Sequence, residues 1–385
     1  MRFIHTADWH LGRLMHGVHL TDDQAHVLDQ LVDLIDETKP DALLISGDIY
    51  DRAVPPPEAV ALLDDFLSRV VRGLGRPVLL IAGNHDSARR LEFGSKMLAE
   101  QGLHVFGSVT RDISPVLLSD HAGPVRFYAV PFAEPALVRA EFSCESVHDH
   151  DSAWRAVREA MLAGQTSGSR AVIVAHAFVT GAVESESERP LSVGGADMVD
   201  SSCFADFDYA ALGHLHRPQS VGVDHVRYAG SLLKYSFSEV DHHKSVTLVE
   251  MDARGKCRTE GVSLTPRRDV RCVSGHLREL LEGPKSGESR HDYLSVTLLD
   301  TGPILDAMGR LREVYPNALH VERIGFGPGT HHAHEAMDHR TLDDADLFAA
   351  FFSQVTGDEL TDAEAQVYAE VADDMRRRER EAVQS

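Results

Sequence analysis

Five short polar motifs, each at or just after an apolar, strand-like run, constrain this chain more than any other feature. They are Asp8-Trp9-His10, Gly47-Asp48, Gly83-Asn84-His85-Asp86, His176 and Gly213-His214-Leu215-His216. The runs before them, such as residues 42–46 (ALLIS) and 78–82 (VLLIA), are short and almost wholly apolar, the pattern of buried strands. Together the motifs supply two aspartates, an asparagine and four histidines, with a further histidine at 85. Oxygen and imidazole donors in that mixture suit a pair of divalent transition metals. Such a pair performs hydrolysis, and a phosphoester is the natural bond.

The chain of 385 residues is too long for one typical core. Its first part alternates strand and helix. Thr21 reads as the N-cap of a helix carrying Leu28, Leu31, Val32 and Ile35 on one face, which Pro40 stops. Pro57 opens a second helix with Leu62, Leu63, Phe66, Leu67 and Val70 aligned. Strands follow near 113–118, 125–130, 171–175, 209–212, 220–223, 226–229 and 245–252, with a helix near 152–162. The expected fold class is α/β: a two-sheet β-sandwich core flanked by helices over residues 1–264. A small α+β capping domain, ordered β-α-β-α-β, is expected over 265–325, then a flexible Gly- and His-rich connector at 326–340. Residues 341–385 read as C-terminal helices. Their stripe of Phe348, Phe351, Phe352 and Val355 needs a covering surface, either this chain or a docking partner.

Net charge of −22 argues against holding a polyanion through the overall field, so any nucleic acid must be met by local patches, metal ions or a partner. The four cysteines show no metal-binding spacing, and no apolar run approaches the ~18 residues of a membrane span. The sequence starts directly on a strand-like segment without a signal peptide, which leads to the expectation of a cytoplasmic protein. The run Glu184-Ser185-Glu186-Ser187-Glu188 reads as a solvated loop, His5 as structural, and His331, His332, His334 and His339 as part of the polar connector.

Asp8 and His10 are two residues apart. In extended backbone their side chains would point the same way and reach one ion. Asp48 can bridge two ions with its two oxygens, and Asn84 adds a neutral oxygen that limits the negative charge. His214 and His216 repeat the two-apart spacing, and glycines 47, 83 and 213 are expected to allow sharp turns. Any one fragment alone is a loop or core residue by default; the ordered set is what carries the reading.

The set resembles the signature of calcineurin-like metallophosphoesterases: D-x-H, GD-x-x-D at Gly47–Asp51, GNHD, a lone histidine and GH-x-H. Residues 6–12 (TADWHLG), Asp51-Arg52 with Pro55-Pro56, and residues 228–239 (YAGSLLKYSFSE) are similar to the SbcD family of bacterial nuclease subunits. The resemblance implies one ion held by Asp8, His10, Asp48 and His216, and another held by Asp48, Asn84, His176 and His214. It implies two divalent ions, manganese being the family's metal, and a water activated for in-line attack on phosphorus. His85 is expected to act on the scissile phosphate or leaving oxygen, with Asp51 and Asp86 orienting ligand groups. Arg13, His16, Arg52, Arg89 and Arg90 flank the motif loops as candidate DNA contacts. The family further implies an SbcC-like ATPase partner and a homodimer, through helices of the phosphoesterase domain, within a heterotetramer; the phenylalanine stripe is where the ATPase is expected to dock. No P-loop occurs in the chain, so ATP would act only through that partner. The implied activity is cleavage of DNA ends and hairpins. Two other readings stay open: a phosphatase or phosphodiesterase acting on small molecules or phosphoproteins, and a non-catalytic scaffold that binds DNA or the ATPase.

Overall fold

The computed structural model describes residues 1–163, 169–188, 198–300, 304–323, 345, 348–349, 352–353 and 360–383, with side chains to 374 in the last stretch. It divides into two compact units, Met1–Val270 and Arg271–Ser385.

The first unit is built on two six-stranded sheets. One runs in the order Cys257–Ser263, Ser245–Met251, Arg2–Thr6, Ala42–Ser46, Val78–Ile81, Leu103–Phe106; its last four strands are parallel. The other runs Gln219–Val221, Val223–Tyr228, Tyr209–Gly213, Arg170–His176, Gly123–Val130, Val116–Asp120. Alternate residues of both sheets meet in one shared core: Phe3, Leu44, Leu79 and Ile81 from the first, with Phe127, Val172, Val174 and Tyr209 from the second. The intervening residues face outward onto helices. On the second sheet Tyr128, Ile173, Ala175 and Leu212 pack with Trp154, Val157 and Met161 of the helix His150–Ala163. The central strands are therefore buried on both faces, which is why Ala42–Ser46, Val78–Ile81, Arg170–His176 and Tyr209–Gly213 are apolar at nearly every position rather than at every second one.

Helix Thr21–Thr38 places its apolar face inward as the spacing predicts, but Thr21 is not its cap. Leu20 holds that position with no side-chain hydrogen bond, and Lys39, not Pro40, ends the helix in a left-handed conformation. Pro57 does open a helix, Pro57–Leu67, which continues into a π-helical turn at Ser68–Gly73.

The second unit contains a three-stranded sheet with Tyr293–Leu298 central, parallel to Ala318–Arg323, and Val270–Gly275 on its other edge. Leu277, Leu294, Val296, Leu298, Leu311 and Tyr315 form its core. Farther along, Phe348 stacks on Tyr368 of the helix Asp362–Val383 at 4.1 Å. A groove of about 490 Å³ beside this stack is lined by Phe348, Phe352, Leu360, Ala363, Val367 and Val371. Phe351, Val355 and the expected connector 326–340 lie outside the described residues.

Candidate metal centre

All five motifs leave their strands at the same edge of the sandwich, because the parallel strands Arg2–Thr6, Ala42–Ser46, Val78–Ile81, Arg170–His176 and Tyr209–Gly213 end there together. The route by which Asp8 and His10 converge differs from the expected one. Neither is extended: φ is 54° at Asp8, 45° at His10, 48° at Asp48 and 108° at His214. The left-handed backbone costs energy in non-glycine residues. It is held by cross-loop hydrogen bonds from Asp8 N to Gly47 O (3.1 Å) and from His10 N to Asp48 O (2.9 Å).

The glycines divide likewise. Gly47 has φ of 90° and is a turn glycine, and a Cβ there would also run into the His176 ring. Gly83 and Gly213 are needed for space alone: a Cβ on Gly83 would run into the Asp48 carboxylate, and one on Gly213 into the Ser46 carbonyl.

Asp48 stands at the middle of the site. Its Oδ2 lies 3.7 Å from His10 Nε2 and 3.6 Å from His176 Nε2, while Oδ1 accepts from the His85 N–H at 2.9 Å. On one side Asp8, His10 and Asp48 cluster; on the other, Asp48, His176 and His214. His216 Nε2 faces His10 Nε2 at 3.1 Å, and Asn84 Oδ1 lies 2.9 Å from His176 Nε2 and 3.3 Å from His214 Nδ1. All seven side chains thus meet, and all but Asn84 are buried.

Two polar atoms here lack a protein partner: Asp8 Oδ2 and His10 Nδ1 are buried without a hydrogen bond. Burial, then the neighbouring Asp48 charge, pushes the Asp8 carboxyl well above its usual range. Burial likewise pushes His10 and His214 well below the ordinary imidazole value, and His176 below it, favouring neutral rings. Neutral imidazoles around close, charge-frustrated carboxylates form the donor set that a dication relieves, so the residues fit two divalent ions.

The flanking residues serve as struts. Asp86 accepts from Ile49 N (3.0 Å), Tyr50 N (2.9 Å) and Gly83 N (2.9 Å), tying the Asp48 loop to the Asn84 loop. Asp51 Oδ1 accepts from Arg13 Nη1 at 2.7 Å and lies 3.7 Å from His10 Nδ1. Its carbonyl lies 2.8 Å from His85 Nδ1, the arrangement of a ring donating Nδ1–H. Arg13 is therefore engaged, by Asp51 and over the Tyr235 ring at 5.8 Å. His16 is exposed and packs on Phe237, while Arg52, Arg89 and Arg90 are exposed beside the site. His5 is buried between Tyr209 Oη (3.0 Å) and Leu212 O (3.1 Å), a structural role.

A family model described as calcineurin-like phosphoesterase matches residues 1–218, and one described as type 5 capsule protein repressor C-terminal domain matches residues 266–356. The D subunit of the nuclease SbcCD from Staphylococcus saprophyticus is 33% identical over 361 residues, 94% of this chain and 95% of that protein. The chain belongs to the SbcD nuclease-subunit family of calcineurin-like phosphoesterases. The protein of the same name from Staphylococcus epidermidis is 30% identical over 365 residues, 95% of this chain and 96% of that one. Among solved structures, a dimetal phosphatase from Danio rerio is similar over 69% of this chain and 97% of its own, at 12% identity and a TM-score of 0.41.

This SbcD-family chain carries further site residues that motif reading passed over. The acidic run is not simply solvated: Glu188 Oε1 accepts from the His216 N–H at 2.7 Å, and Ser187 Oγ lies 3.0 Å from His216 Nδ1, while Glu184 and Glu186 are exposed. Gln24, buried in the first helix, donates to the carbonyls of Trp9 (3.1 Å) and His10 (2.7 Å) and accepts from the Gly12 N–H (3.1 Å). Tyr235 also donates to the Trp9 carbonyl. The available signal for Gln24 was its position one turn before Val27 and Leu28, on the face that the apolar residues of the helix bury. Glu188 had none, since its sequence neighbourhood is that of an ordinary acidic loop.

Proposed function

We propose that this chain is the nuclease subunit of an SbcCD-like complex, a two-metal phosphodiesterase that cuts DNA ends and hairpins. Duplex would be trimmed exonucleolytically and single strands cut endonucleolytically, in DNA repair and recombination. The observation that carries the reading is Asp48 Oδ2 midway between two imidazole clusters, 3.7 and 3.6 Å from their nearest nitrogens. In this reading Asp8, His10, Asp48 and His216 hold one ion, and Asp48, Asn84, His176 and His214 the other. Ions at those positions, manganese in our reading, supply Lewis-acid stabilisation and a nucleophilic water at neutral pH.

The chain's own groups complete the chemistry. His85 donates a hydrogen bond from Nδ1–H to the Asp51 carbonyl, so Nε2 is the nitrogen left for substrate. To act as general acid on the departing oxygen the ring must be cationic, carrying its second proton on Nε2. His176 is fixed similarly, with Nδ1 on the Ser46 carbonyl at 2.9 Å, which leaves Nε2 for the metal. Arg52, Arg89 and Arg90, exposed in the segments that flank the motifs, would meet backbone phosphates.

Both partner surfaces are part of the proposal. Phe93 and Met97, 88% and 78% exposed around the short helices after the GNHD motif, support a homodimer contact. The stripe containing Phe348, Phe351, Phe352 and Val355 would dock an SbcC-like ATPase, the route by which ATP acts on this chain. Val367 and Val371, 60% and 54% exposed beside the described part of that stripe, support such a covering partner. The described residues contain no helix long and apolar enough to cross a membrane, and we place the protein in the cytoplasm.

The test is digestion of a hairpin DNA with manganese, with and without an SbcC-type ATPase, beside an aryl phosphate diester. Hairpin opening by the wild type and none by Asp48→Asn is expected. Turnover of the diester alone would favour the small-molecule phosphodiesterase, and turnover of neither would favour the scaffold.

A further inference from the structure

Glu239 closes the 228–239 segment and is fully buried; Lys244, at 8% exposure, is its ion-pair partner. Lys244 Nζ donates to Glu239 Oε2, to Ser231 Oγ at 2.8 Å and to the His216 carbonyl at 2.8 Å. Those three acceptors match the ammonium's three protons, and His242 Nδ1 stands by at 3.4 Å. The second carboxylate oxygen, Glu239 Oε1, lies 3.1 Å from His216 Nδ1 and accepts from Tyr235 N at 3.3 Å. The far nitrogen of the same ring, His216 Nε2, is the one facing His10 Nε2 at 3.1 Å.

A buried ion pair is poor evidence for added stability, because desolvation offsets most of the Coulomb gain and an apolar pair often serves as well. An apolar pair could not present a carboxylate oxygen to Nδ1. That contact fixes the tautomer, aims the Nε2 lone pair and makes the ring a stronger donor. Ser187 Oγ also approaches Nδ1, at 3.0 Å, but a carboxylate is the stronger acceptor and Glu239 is locked at both oxygens.

We propose that Glu239, clamped by Lys244, is a positioning residue for His216. It sets the affinity for the ion shared by Asp8, His10, Asp48 and His216, and leaves the Asn84–His176–His214 ion unaffected. This deepens the two-metal reading above and rests on it.

The full-length chain, stripped by chelation, is titrated with Mn²⁺ by electron paramagnetic resonance. Wild type should bind two ions and His216→Ala one. The double variant Glu239→Leu/Lys244→Met removes the acceptor without stranding a charge, and should weaken one ion by about 10–100-fold while the other holds. Glu239→Gln/Lys244→Met keeps an acceptor oxygen and should restore most of that affinity, and cleavage with it. Ser187→Ala should bind both ions as wild type does. Proton–nitrogen NMR of the metal-free protein gives a readout independent of how the double variants fold. It should show a deshielded imidazole N–H that vanishes in His216→Ala and moves upfield in Glu239→Gln.

Two ions bound with wild-type affinity by the leucine variant would overturn the proposal. So would joint loss of both ions, loss caused by Ser187→Ala, or an imidazole resonance that is missing in wild type or indifferent to Glu239→Gln. Fewer than two ions on the wild type would instead overturn the two-metal reading itself.

Discussion

Replacing Asp86 should separate the two loops that carry Asp48 and Asn84, and the cost can be worked bond by bond. Asp86 Oδ2 accepts from Ile49 N and Gly83 N, and Oδ1 from Tyr50 N, at 2.9–3.0 Å. In Asp86→Ala three backbone donors lose their acceptor. Each buried unsatisfied donor costs about 1–3 kcal/mol, and with the site partly open to water the lower half applies, for a total of about 3–6 kcal/mol. In Asp86→Asn the amide oxygen can take the doubly accepting position. Its NH₂ then faces the Tyr50 N–H, so one bond is lost and two donors meet, at about 1–3 kcal/mol. Urea unfolding of the metal-free chain at pH 8, followed by tryptophan fluorescence, measures this. The only tryptophans, Trp9 and Trp154, are both buried in the first unit and report on it alone. Alanine worse than asparagine, and asparagine worse than wild type, is expected. Both variants within about 0.5 kcal/mol of wild type, or asparagine as damaging as alanine, would refute the strut role.

His85→Ala should lower DNA cleavage by about 10²–10⁴-fold while both Mn²⁺ ions still bind, read by single-turnover kinetics beside metal titration; full activity would remove His85 from the chemistry. The metal-free chain should be most stable near neutral pH. Burial lowers His10, His176 and His214 and brings His5 down to about 3, so their contribution is present above the ordinary imidazole value of 6.5 and lost as pH falls below it. Burial and then Asp48 raise Asp8 and bring Asp86 up to about 7, so their contribution is present below the ordinary carboxyl value of 3.8 and lost as pH rises above it, for Asp86 through about 7. The four histidines outnumber the two carboxyls below 6.5, at about 1.4 kcal/mol per proton per pH unit, so melting temperature should climb to that point, then decline. Mn²⁺ should abolish the decline, and a monotonic metal-free profile would contradict the assignment. With a net charge of −22, the isolated chain should bind duplex DNA weakly and with a shallow salt slope; tight, steeply salt-dependent binding would show an unrecognised basic surface. Phe93→Glu with Met97→Glu should yield a monomer by light scattering with the fold intact, and an unchanged mass would discard that face as the dimer contact.

The sequence alone determined which residue types gather at the site, their order and the strands that carry them. Ligand chemistry restricts the residue types to Asp, Asn and His, and strands buried on both faces must be short continuous apolar runs, so both leave local marks. Residues 42–46 and 78–82 could be read as strands, and Asp48 and Asn84 as the donors at their ends, without knowing any contact. Tertiary structure decided how those side chains come together. Asp8 and His10 share a cluster through left-handed backbone held by Gly47 and Asp48, not through the alternation of an extended strand. The space at Gly83 and Gly213, the seat of Glu188 on His216 and the approach of Glu239 to His216 are equally non-local. Backbone strain and buried hydrogen bonds depend on partners up to about 200 positions away, such as His214 N on Asp8 Oδ1 across 206 residues, and such partners leave no local pattern in a linear sequence.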